Sequence, residues 1–320
     1  MTDTFYTLRA DGRSMSEFSG KTVIALGSFD GVHAAHRKLL SEAIALGKKL
    51  GAEVGVWCFS TLPINSLRQE KVPMITSLEE KVEILLSLGL DFVAVGDFGA
   101  LCANSPEDFI ENILKKELNC VGCVCGFNHR FGKGGKGNHD TLKIAFGEER
   151  TVIIPEFTMD SKTVSSSAIR ELIINGDLVG AEKMLMRPHF LKSQVVDGKR
   201  LGRKLGFPTA NQYFPEGIIV PARGIYATVC TMKDGKKYVG ISNVGIRPTV
   251  TDGSDSHRVN CETYVHDFSG DIYGDEMKVE FYKYLRAEKK FDSVEDLKAQ
   301  IALDLESALE FFNNSKALIK

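Results

Sequence analysis

The sequence predicts an α/β domain with a parallel sheet, followed by an antiparallel β-barrel or sandwich that closes with a helix. Up to about residue 186, short apolar strands alternate with helical patterns, and this alternation is typical of a parallel sheet with helices on both faces. Beyond that point strand-like stretches follow one another directly, which favours an antiparallel sheet. A chain of 320 residues is long enough for two domains. We place the boundary near Arg187-Pro188, which gives domains 1–186 and 187–320.

Composition narrows the class of protein. Hydrophobic residues make up 43% and charged residues 26%, as in ordinary globular domains. With 40 Lys+Arg against 42 Asp+Glu, the chain has no basic field for a nucleic acid. No apolar run is long enough for a membrane helix, and the first twenty residues lack a signal-peptide pattern. Seven scattered cysteines predict free thiols. We expect a cytoplasmic protein that needs neither nucleic acid, membrane nor an obligate protein partner.

Caps and apolar runs mark the elements of the first domain. Ser77-Leu-Glu-Glu80 is a capping box, and Ser105-Pro106 opens another helix with proline at its first position. A further helical pattern runs from about His36 to Leu50. Ligands of such sheets bind beyond the carboxyl ends of the strands. The predicted strands are Thr22–Leu26, Glu53–Phe59, Asp91–Val95, Cys120–Cys125 and Thr151–Ile154.

The second domain is predicted from strand-like stretches and one terminal helix. Asp234-Gly235 is a hairpin signal between two strands. Ser293 and Asp296 cap the final helix, whose apolar stripe runs from Leu297 to Phe312. The predicted strands are Leu191–Val196, Gly224–Met232, Lys237–Val244, Asn260–His266 and Met277–Leu285.

The segment Gly27-Ser-Phe-Asp-Gly-Val-His-Ala-Ala-His36 carries the chemistry of the first domain. Its glycines let the backbone approach a ligand, and the helix start that follows offers free N–H groups to a phosphate. Two histidines three positions apart project from one face of a helical turn, where they can stabilise a leaving pyrophosphate. A histidine pair at this spacing is, by itself, usually two surface or core histidines. Its place after a strand and a glycine turn and before a helix favours a catalytic role. We assign phosphate binding to Gly27, Phe29 and Gly31, and catalysis to His33 and His36.

This element resembles the nucleotidyltransferases of the cytidylyltransferase-like superfamily. These enzymes have a Rossmann-like domain and transfer a nucleotide by direct in-line attack. Val164-Ser-Ser-Ser-Ala-Ile-Arg170 resembles a second motif of that superfamily. The resemblance implies that Ser165, Ser166 and Arg170 hold the β- and γ-phosphates of ATP, with Arg170 counted among the catalytic residues. Alone, this segment would be a plain serine cap with a solvated arginine. Gly126-Phe-Asn-His-Arg-Phe-Gly132 is similar to the flavin-side segment of bacterial FAD synthetases, which implies that Asn128 orients the flavin.

A second glycine-rich segment, Gly198-Lys-Arg-Leu-Gly-Arg-Lys-Leu-Gly-Phe-Pro-Thr-Ala-Asn211, opens the chemistry of the second domain. Glycines alternate with cations, so backbone N–H groups and positive charge can surround a phosphate chain. Thr209 and Asn211 offer hard oxygen ligands of the kind that Mg²⁺ takes together with phosphates and water. The segment is not a Walker A motif. We assign phosphate binding to Gly198, Gly202 and Gly206.

A cysteine cluster, Cys120-Val-Gly-Cys-Val-Cys125, lies in the first domain. It lacks a second ligand pair, so buried thiols are a better interpretation than a metal site.

The Gly-Phe-Pro-Thr-Ala-Asn tail resembles riboflavin kinase, a six-stranded barrel. That resemblance implies that Glu262 is the catalytic base for the ribityl 5′-hydroxyl and that Arg286 contacts the flavin. From alternation alone, Glu262 would be a solvent-facing strand residue. Further matching segments are Gly224-Ile-Tyr226, Gly240–Val250 with Asn243, Arg247-Pro-Thr249, Asp267–Gly274 and Leu285–Phe291.

Together the halves resemble the bifunctional bacterial riboflavin kinase/FAD synthetases. The resemblance implies Mg²⁺-dependent phosphorylation of riboflavin to FMN by ATP, then adenylylation of FMN to FAD with release of pyrophosphate. Three departures lie in the first domain: Ala35 stands for a glycine, Leu62 for a histidine and His129 for a phenylalanine. They leave open a chain that is a riboflavin kinase only, with an impaired adenylyltransferase domain. A flavin-responsive binding protein without turnover is a third reading, disfavoured by Thr209, Asn211 and Glu262.

Overall fold

The computed structural model describes residues 4–9, 18, 20–197, 207–246 and 259–314. The chain divides into two compact units, Met1–Ser166 and Ser167–Lys320. Across the described ranges, no helix combines the length and apolar character that a membrane crossing requires. All seven cysteines are free, as predicted.

The first unit is a sheet with helices between its strands. Its strands are β1 Phe5–Arg9, β2 Thr22–Leu26, β3 Glu53–Phe59, β4 Phe92–Gly96, β5 Cys120–Gly126, β6 Thr151–Ile154, and the short hairpin of β7 Thr158–Met159 and β8 Lys162–Thr163. Its helices are α1 Ala34–Leu50, α2 Pro63–Leu67, α3 Leu78–Ser87, α4 Phe98–Leu101, α5 Pro106–Asp108 and α6 His139–Phe146. Helix α7 Ser166–Ile174 begins at the last residue of this unit.

The sheet order is β1-β4-β3-β2-β5-β6, and strands β2 to β6 pair in parallel. This confirms the predicted parallel α/β sheet. Strand β1 adds an antiparallel edge beside β4 that we did not predict, with Phe5 opposite Gly96. Alternate side chains of β2 enter two cores: Val23 and Ala25 pack with α1 and α3, while Ile24 and Leu26 pack on the opposite face. Helices therefore cover both faces.

The helix predicted after Ser105 changes its winding. The capping box of Ser105 and Asp108 opens α5, but a π-helical segment, Phe109–Glu117, follows it. Its wider turns are evident where the Leu118 N–H donates to the Ile113 carbonyl at 3.0 Å. The predicted apolar stripe is still the buried one: Phe109, Ile110, Ile113 and Leu114.

The second unit is a curled antiparallel sheet with two preceding helices and one terminal helix. The helices are α8 Leu178–Leu185, after α7, and α9 Val294–Asn314. The strands are β9 His189–Gln194, β10 Thr209–Tyr213, β11 Gly224–Thr231, β12 Lys237–Ile246, β13 Val259–Val265 and β14 Glu276–Arg286.

The six strands have the order β10-β13-β12-β11-β14-β9, all antiparallel. The sheet curls so far that its ends meet at one bridge, where the Val196 N–H donates to the Asn211 carbonyl at 2.8 Å. Inside, the fully buried amide of Gln212 donates to the carbonyls of Ser193 and Met277, each at 2.7 Å. The predicted six-stranded antiparallel architecture with a C-terminal helix is thus confirmed.

Helix α9 packs on this curled sheet. Ser293 caps it by accepting from the Asp296 N–H at 3.0 Å. Ala308 and Phe312 are buried against β11, β12 and β14 residues. The hairpin predicted at Asp234-Gly235 is present, with Gly235 at φ 83°.

Candidate active sites

In the first unit, the turn after β2 is held in an uncommon backbone conformation. Phe29, Gly31 and Val32 all have positive φ, at 51°, 77° and 42°. Only glycine adopts such angles without strain, and strain of this kind is typical of functional turns. A Cβ on Gly27 would lie 3.1 Å from the Phe29 ring, a tight contact that a side chain there could make only if the ring moved slightly.

Asp30 anchors the turn. Its buried carboxylate accepts hydrogen bonds from the backbone N–H groups of Ile75 at 2.9 Å and Thr76 at 3.4 Å. Its carbonyl accepts from the Ser166 hydroxyl at 3.0 Å. One of the predicted phosphate-binding serines thus touches the glycine turn directly. Ser165 precedes it, and Arg170, half-buried in α7, belongs to the second unit; their phosphate-binding roles stay predictions.

Phe29 occupies a different environment from the one implied by a phosphate contact. Its ring is fully buried in the core with Val23 and Leu40. A side chain in that position is unable to touch ATP, so any contact of this residue with phosphate must come from its backbone N–H.

His33 and His36 lie against each other at the start of α1. His33 is the N-cap residue, outside the helix, and its Nδ1 accepts from the His36 N–H at 3.4 Å. The two rings stack with centroids 3.6 Å apart and an angle of 12°. Burial, then the charge of His33 and Lys81, holds the pKa of His36 well below its ordinary value. His36 is therefore neutral at pH 7, with one N–H to donate, and its buried Nδ1 has no hydrogen-bond partner within the described part of the chain.

The flavin-side segment follows β5. Asn128 is exposed, as a substrate contact requires. His129 stacks on Phe131 with centroids 5.9 Å apart, and burial lowers its pKa to about 4. A neutral imidazole in this position keeps the aromatic surface of the phenylalanine it replaces. Of the other departures, Ala35 is half-buried in the first turn of α1, and Leu62 is buried before α2.

Lys81 was not among the predicted site residues. It is buried, and its Nζ donates to the Phe59 carbonyl at 2.9 Å and the Ser28 carbonyl at 3.4 Å. Its one signal in the sequence is its place beside Val82 and Leu85 on the apolar side of a helix. That signal is weak, because a lysine in a helical pattern is normally expected to face solvent.

In the second unit, the predicted metal ligands and base meet on one face of the sheet. The Thr209 hydroxyl donates to Glu262 Oε1 at 2.7 Å, and Asn211 lies directly opposite Glu262 across β10 and β13. Asn211 is 4% exposed, whereas Thr209 and Glu262 are half-buried and accessible. Gly198, Gly202 and Gly206 lie outside the described residues, as does Arg247-Pro-Thr249.

A cavity of about 250 Å³ opens beside these ligands. Its wall combines the start of β10 with the Asp-Phe-Ser-Gly-Asp-Ile-Tyr segment after β13. The lining residues are Val195, Pro208–Asn211, Val265 and Phe268–Tyr273. Hydroxyl, amide and backbone groups therefore face a partly open space in which a nucleotide phosphate chain can lie.

Asn243 extends the row to a third strand. It lies opposite Glu262 from β12, on the side of Glu262 away from Asn211. Its buried Oδ1 has no hydrogen-bond partner among the residues that the structure describes. Asn243 therefore places a further amide beside the Glu262 carboxylate. Asn243 lies within one of the segments that match riboflavin kinases, but its residue type alone predicts no role for it.

An apolar groove lies between α9 and Phe207. It is lined by Phe207, Ala302, Leu305, Glu306, Leu309, Glu310 and Asn313. The Phe207 ring meets Tyr264 edge-on with centroids 5.2 Å apart, and Tyr264 is the strand neighbour of Thr209. The groove thus lies close to the Thr209–Glu262 pair.

Arg286 fastens α9 to β14. Its guanidinium donates from Nε to Asp304 Oδ1 at 2.9 Å and from Nη2 to Oδ2 at 2.6 Å, while Nη1 donates to the Ala287 carbonyl. Asp304 is 5% exposed. These bonds engage each nitrogen of Arg286 within the fold; its predicted contact with flavin stays a prediction.

The three cysteines of β5 lie in the core of the first unit. Cys120, Cys123 and Cys125 are buried, and burial raises the pKa of Cys125 to about 12. Within the described part of the chain, no group of three or more His, Cys, Asp or Glu side chains is arranged to hold a metal ion. The interpretation as buried thiols is confirmed.

Comparison with known proteins covers both units. The FAD synthetase family model matches residues 15–168 and the riboflavin kinase model residues 185–312. A bifunctional riboflavin kinase/FMN adenylyltransferase of Bacillus subtilis is 34% identical over 94% of this chain and 95% of its own length. The enzyme of that description from Escherichia coli K12 is 34% identical over 92% and 94%. A solved structure described as a macrolide-efflux protein from Streptococcus pneumoniae superposes with a TM-score of 0.83 and 28% identity, over 92% and 95%.

Both family models fall on the units whose sites are described above, and the relatives match this chain over nearly their whole length. The chain therefore belongs to the family of bifunctional riboflavin kinase/FMN adenylyltransferases.

Proposed function

We propose that this chain makes FMN from riboflavin and ATP in its second unit, and FAD from FMN and a second ATP in its first. The observation that carries the proposal is the pair of separate sites, each built from its family's motif residues: Thr209, Asn211 and Glu262 in one, His33 and His36 in the other. We place the functional domains at 1–186 and 187–320; the ends of the family matches, at 168 and 185, support this division.

In the kinase reaction, Glu262 is the base. As the ribityl 5′-oxygen of riboflavin attacks the γ-phosphorus of ATP, its proton passes to the carboxylate and ADP leaves. Thr209 donates to Oε1, which orients the carboxylate and leaves Oε2 for the substrate hydroxyl. Asn243, directly opposite Glu262 on β12, would lie beside the ribityl chain.

The donor set at this site fits Mg²⁺. The Thr209 hydroxyl and the Asn211 amide oxygen belong to alternate residues of one strand, both lining the cavity. Magnesium takes one or two protein oxygens and completes its shell with phosphate and water. Bound there with ATP, the ion would neutralise charge on the phosphates. Thr209 and Asn211 would hold it, and the cavity wall would enclose the phosphate chain.

We place the isoalloxazine ring in the groove between Phe207 and α9. A planar, largely apolar ring suits a groove lined by aromatic and aliphatic side chains with a few polar ones at its edge. The short sequence distance from Phe207 to Thr209 would bring the ribityl chain toward Glu262.

In the adenylyl transfer, a phosphate oxygen of FMN attacks the α-phosphorus of ATP and pyrophosphate leaves. No proton has to be removed from a phosphate dianion, so the site needs positive charge and donors rather than a base. The N–H groups at the start of α1 and the neutral His36 provide donors, and His33 is held beside it. Ser165, Ser166 and Arg170 belong to the matching phosphate motif.

The alternative of a kinase with an impaired adenylyltransferase receives no support from the comparisons, because the FAD synthetase model matches the first unit. Paired variants Ala35→Gly and Leu62→His test it. If the departures impair the site, these changes raise FAD formation several-fold; if they are tolerated, the rate stays within about twofold.

The proposed function is tested with the full chain, riboflavin, excess ATP and Mg²⁺, with the flavins resolved by chromatography over time. We expect FMN first and FAD after it, both dependent on Mg²⁺. FMN that accumulates without FAD would refute the adenylyltransferase assignment, and the absence of both products would refute the catalytic account. A cytoplasmic location stays a prediction, in keeping with the free thiols.

A further inference from the structure

Lys81 is a buried cation whose ammonium is held by carbonyl oxygens. It lies in α3 with 4% of its surface exposed, and its Nζ donates to the Phe59 and Ser28 carbonyls at 2.9 Å and 3.4 Å. Among the residues that the structure describes, it forms no ion pair. Lysine is almost never buried unless an anion is beside it, because removing an ammonium from water costs free energy that carbonyls only partly restore.

The Lys81 ammonium lies at the edge of the parallel sheet where ligands bind. Phe59 is the last residue of β3, and Ser28 follows β2 in the turn that leads to His33. The two strands are parallel neighbours, with Leu26 opposite Trp57, so the ammonium lies at their carboxyl ends. Ligands of parallel sheets bind at that edge, and this one holds the turn proposed to bind phosphate.

The field of the ammonium reaches the histidine pair. His36 faces two other titratable groups, His33 from the turn and Lys81 from α3, and both lower its pKa in addition to burial. Because Lys81 is covered by protein, it is unable to touch ATP. Its effect must pass through the carbonyls that it holds and through its charge.

We propose that Lys81 is a positioning residue for adenylyl transfer: it fixes the carboxyl ends of β2 and β3 beneath the turn, and its charge is balanced by the pyrophosphate portion of ATP. The inference rests on the proposed function of the first unit. It predicts that removing the buried charge of Lys81 weakens anion binding at the turn more than removing an exposed lysine nearby does.

The test compares Lys81→Met with Lys38→Met in the full chain. Lys38 is an exposed lysine two residues after His36, paired only with Glu42, so its loss changes the net charge equally. Binding of inorganic pyrophosphate is measured by calorimetry, and the pKa of His36 by NMR, with His36→Gln identifying the resonance. We expect Lys81→Met to bind pyrophosphate at least about tenfold more weakly than Lys38→Met and to raise the pKa of His36. FMN formation from riboflavin stays unchanged in both.

A third variant, Lys81→Arg, keeps the positive charge. It distinguishes an effect of the lost charge from a disruption of packing around residue 81. We expect it to retain a lowered His36 pKa and bind pyrophosphate more tightly than Lys81→Met. Equal binding by Lys81→Met and Lys38→Met, or equal loss in the Met and Arg variants, would overturn the proposal. Wild-type protein that binds pyrophosphate but makes no FAD from FMN would refute the proposed function alone, leaving the role of Lys81 in anion binding to these measurements.

Discussion

Replacing Asp304 by asparagine removes the carboxylate that joins α9 to the curled sheet. Arg286 donates to both of its oxygens, and Gln300 donates to Oδ1 at 2.9 Å. Asp304 is 5% exposed, and its ion pair is therefore little screened by water. Asparagine offers one oxygen where the guanidinium requires two, and turns its amide N–H toward a donor.

The expected cost follows from this geometry. Removing one partner of a buried ion pair leaves the other charge uncompensated, and because Arg286 keeps 21% of its side chain exposed we expect the lower end of the usual range, about 3 kcal/mol of unfolding free energy. For a unit of about 150 residues, each kcal/mol shifts the unfolding midpoint by about 2–4 °C. The second unit of Asp304→Asn should therefore unfold about 10 °C lower. Asp292→Asn, an exposed carboxylate just before α9, is the matched control and should change the midpoint by less than about 2 °C.

The chain provides its own internal reference. Trp57 is its only tryptophan, and it is buried in the first unit, so its fluorescence follows that unit alone. Unfolding of the second unit is followed by scanning calorimetry and by the FMN-forming activity that survives heating. An unchanged midpoint for Asp304→Asn would show that the Arg286–Asp304 pair does not hold α9. It would also leave Arg286 available for the predicted flavin contact.

Three other changes test the sites. Glu262→Gln should lower the rate of FMN formation about 10²- to 10⁴-fold, as loss of a general base does, with FAD formation from added FMN unchanged in the same assay. Thr209→Val should raise the concentration of Mg²⁺ needed for half-maximal FMN formation about tenfold, measured by metal titration; an unchanged requirement would remove Thr209 from the metal site. His129 has a pKa of about 4 when folded and about 6.5 when unfolded, so the unfolded chain binds the extra proton and stability of the first unit falls as pH drops from about 6.5 to 4. His129→Phe should flatten that decline in acid titrations of Trp57 fluorescence, and an identical decline in both proteins would contradict the burial of His129.

Much of the fold is predictable because its elements carry local signals. The apolar runs of β2, β3, β5 and β6 and the capping box at Ser77 specify the parallel sheet without reference to distant residues. Strand β10 carries no such signal: its sequence Thr-Ala-Asn-Gln-Tyr holds two amides. Gln212 can be buried because two carbonyls from other strands accept hydrogen bonds from its amide N–H groups. Those contacts depend on the tertiary structure and leave no local signal in the sequence.

The sites divide in the same way. Motif residues such as Thr209 and Glu262 are recognisable, and the sheet register brings them together although 53 positions separate them. Lys81 is not recognisable, since its burial depends on where α3 packs against β2 and β3. The ring of Phe29 lies within the motif yet faces the core, because a positive φ turns the backbone there. Sequence identifies the residue types of a site; packing decides which atoms face the ligand.

One measurement tests most directly the claim of two independent sites. Glu262→Gln and His36→Gln chains are incubated with riboflavin, ATP and Mg²⁺, each alone and then mixed, and the flavins are separated by chromatography. We expect Glu262→Gln to leave riboflavin largely unchanged and His36→Gln to stop at FMN. The mixture should make FAD, because released FMN reaches the intact first unit of the other variant. FAD made by His36→Gln alone, or no FAD from the mixture, would contradict it.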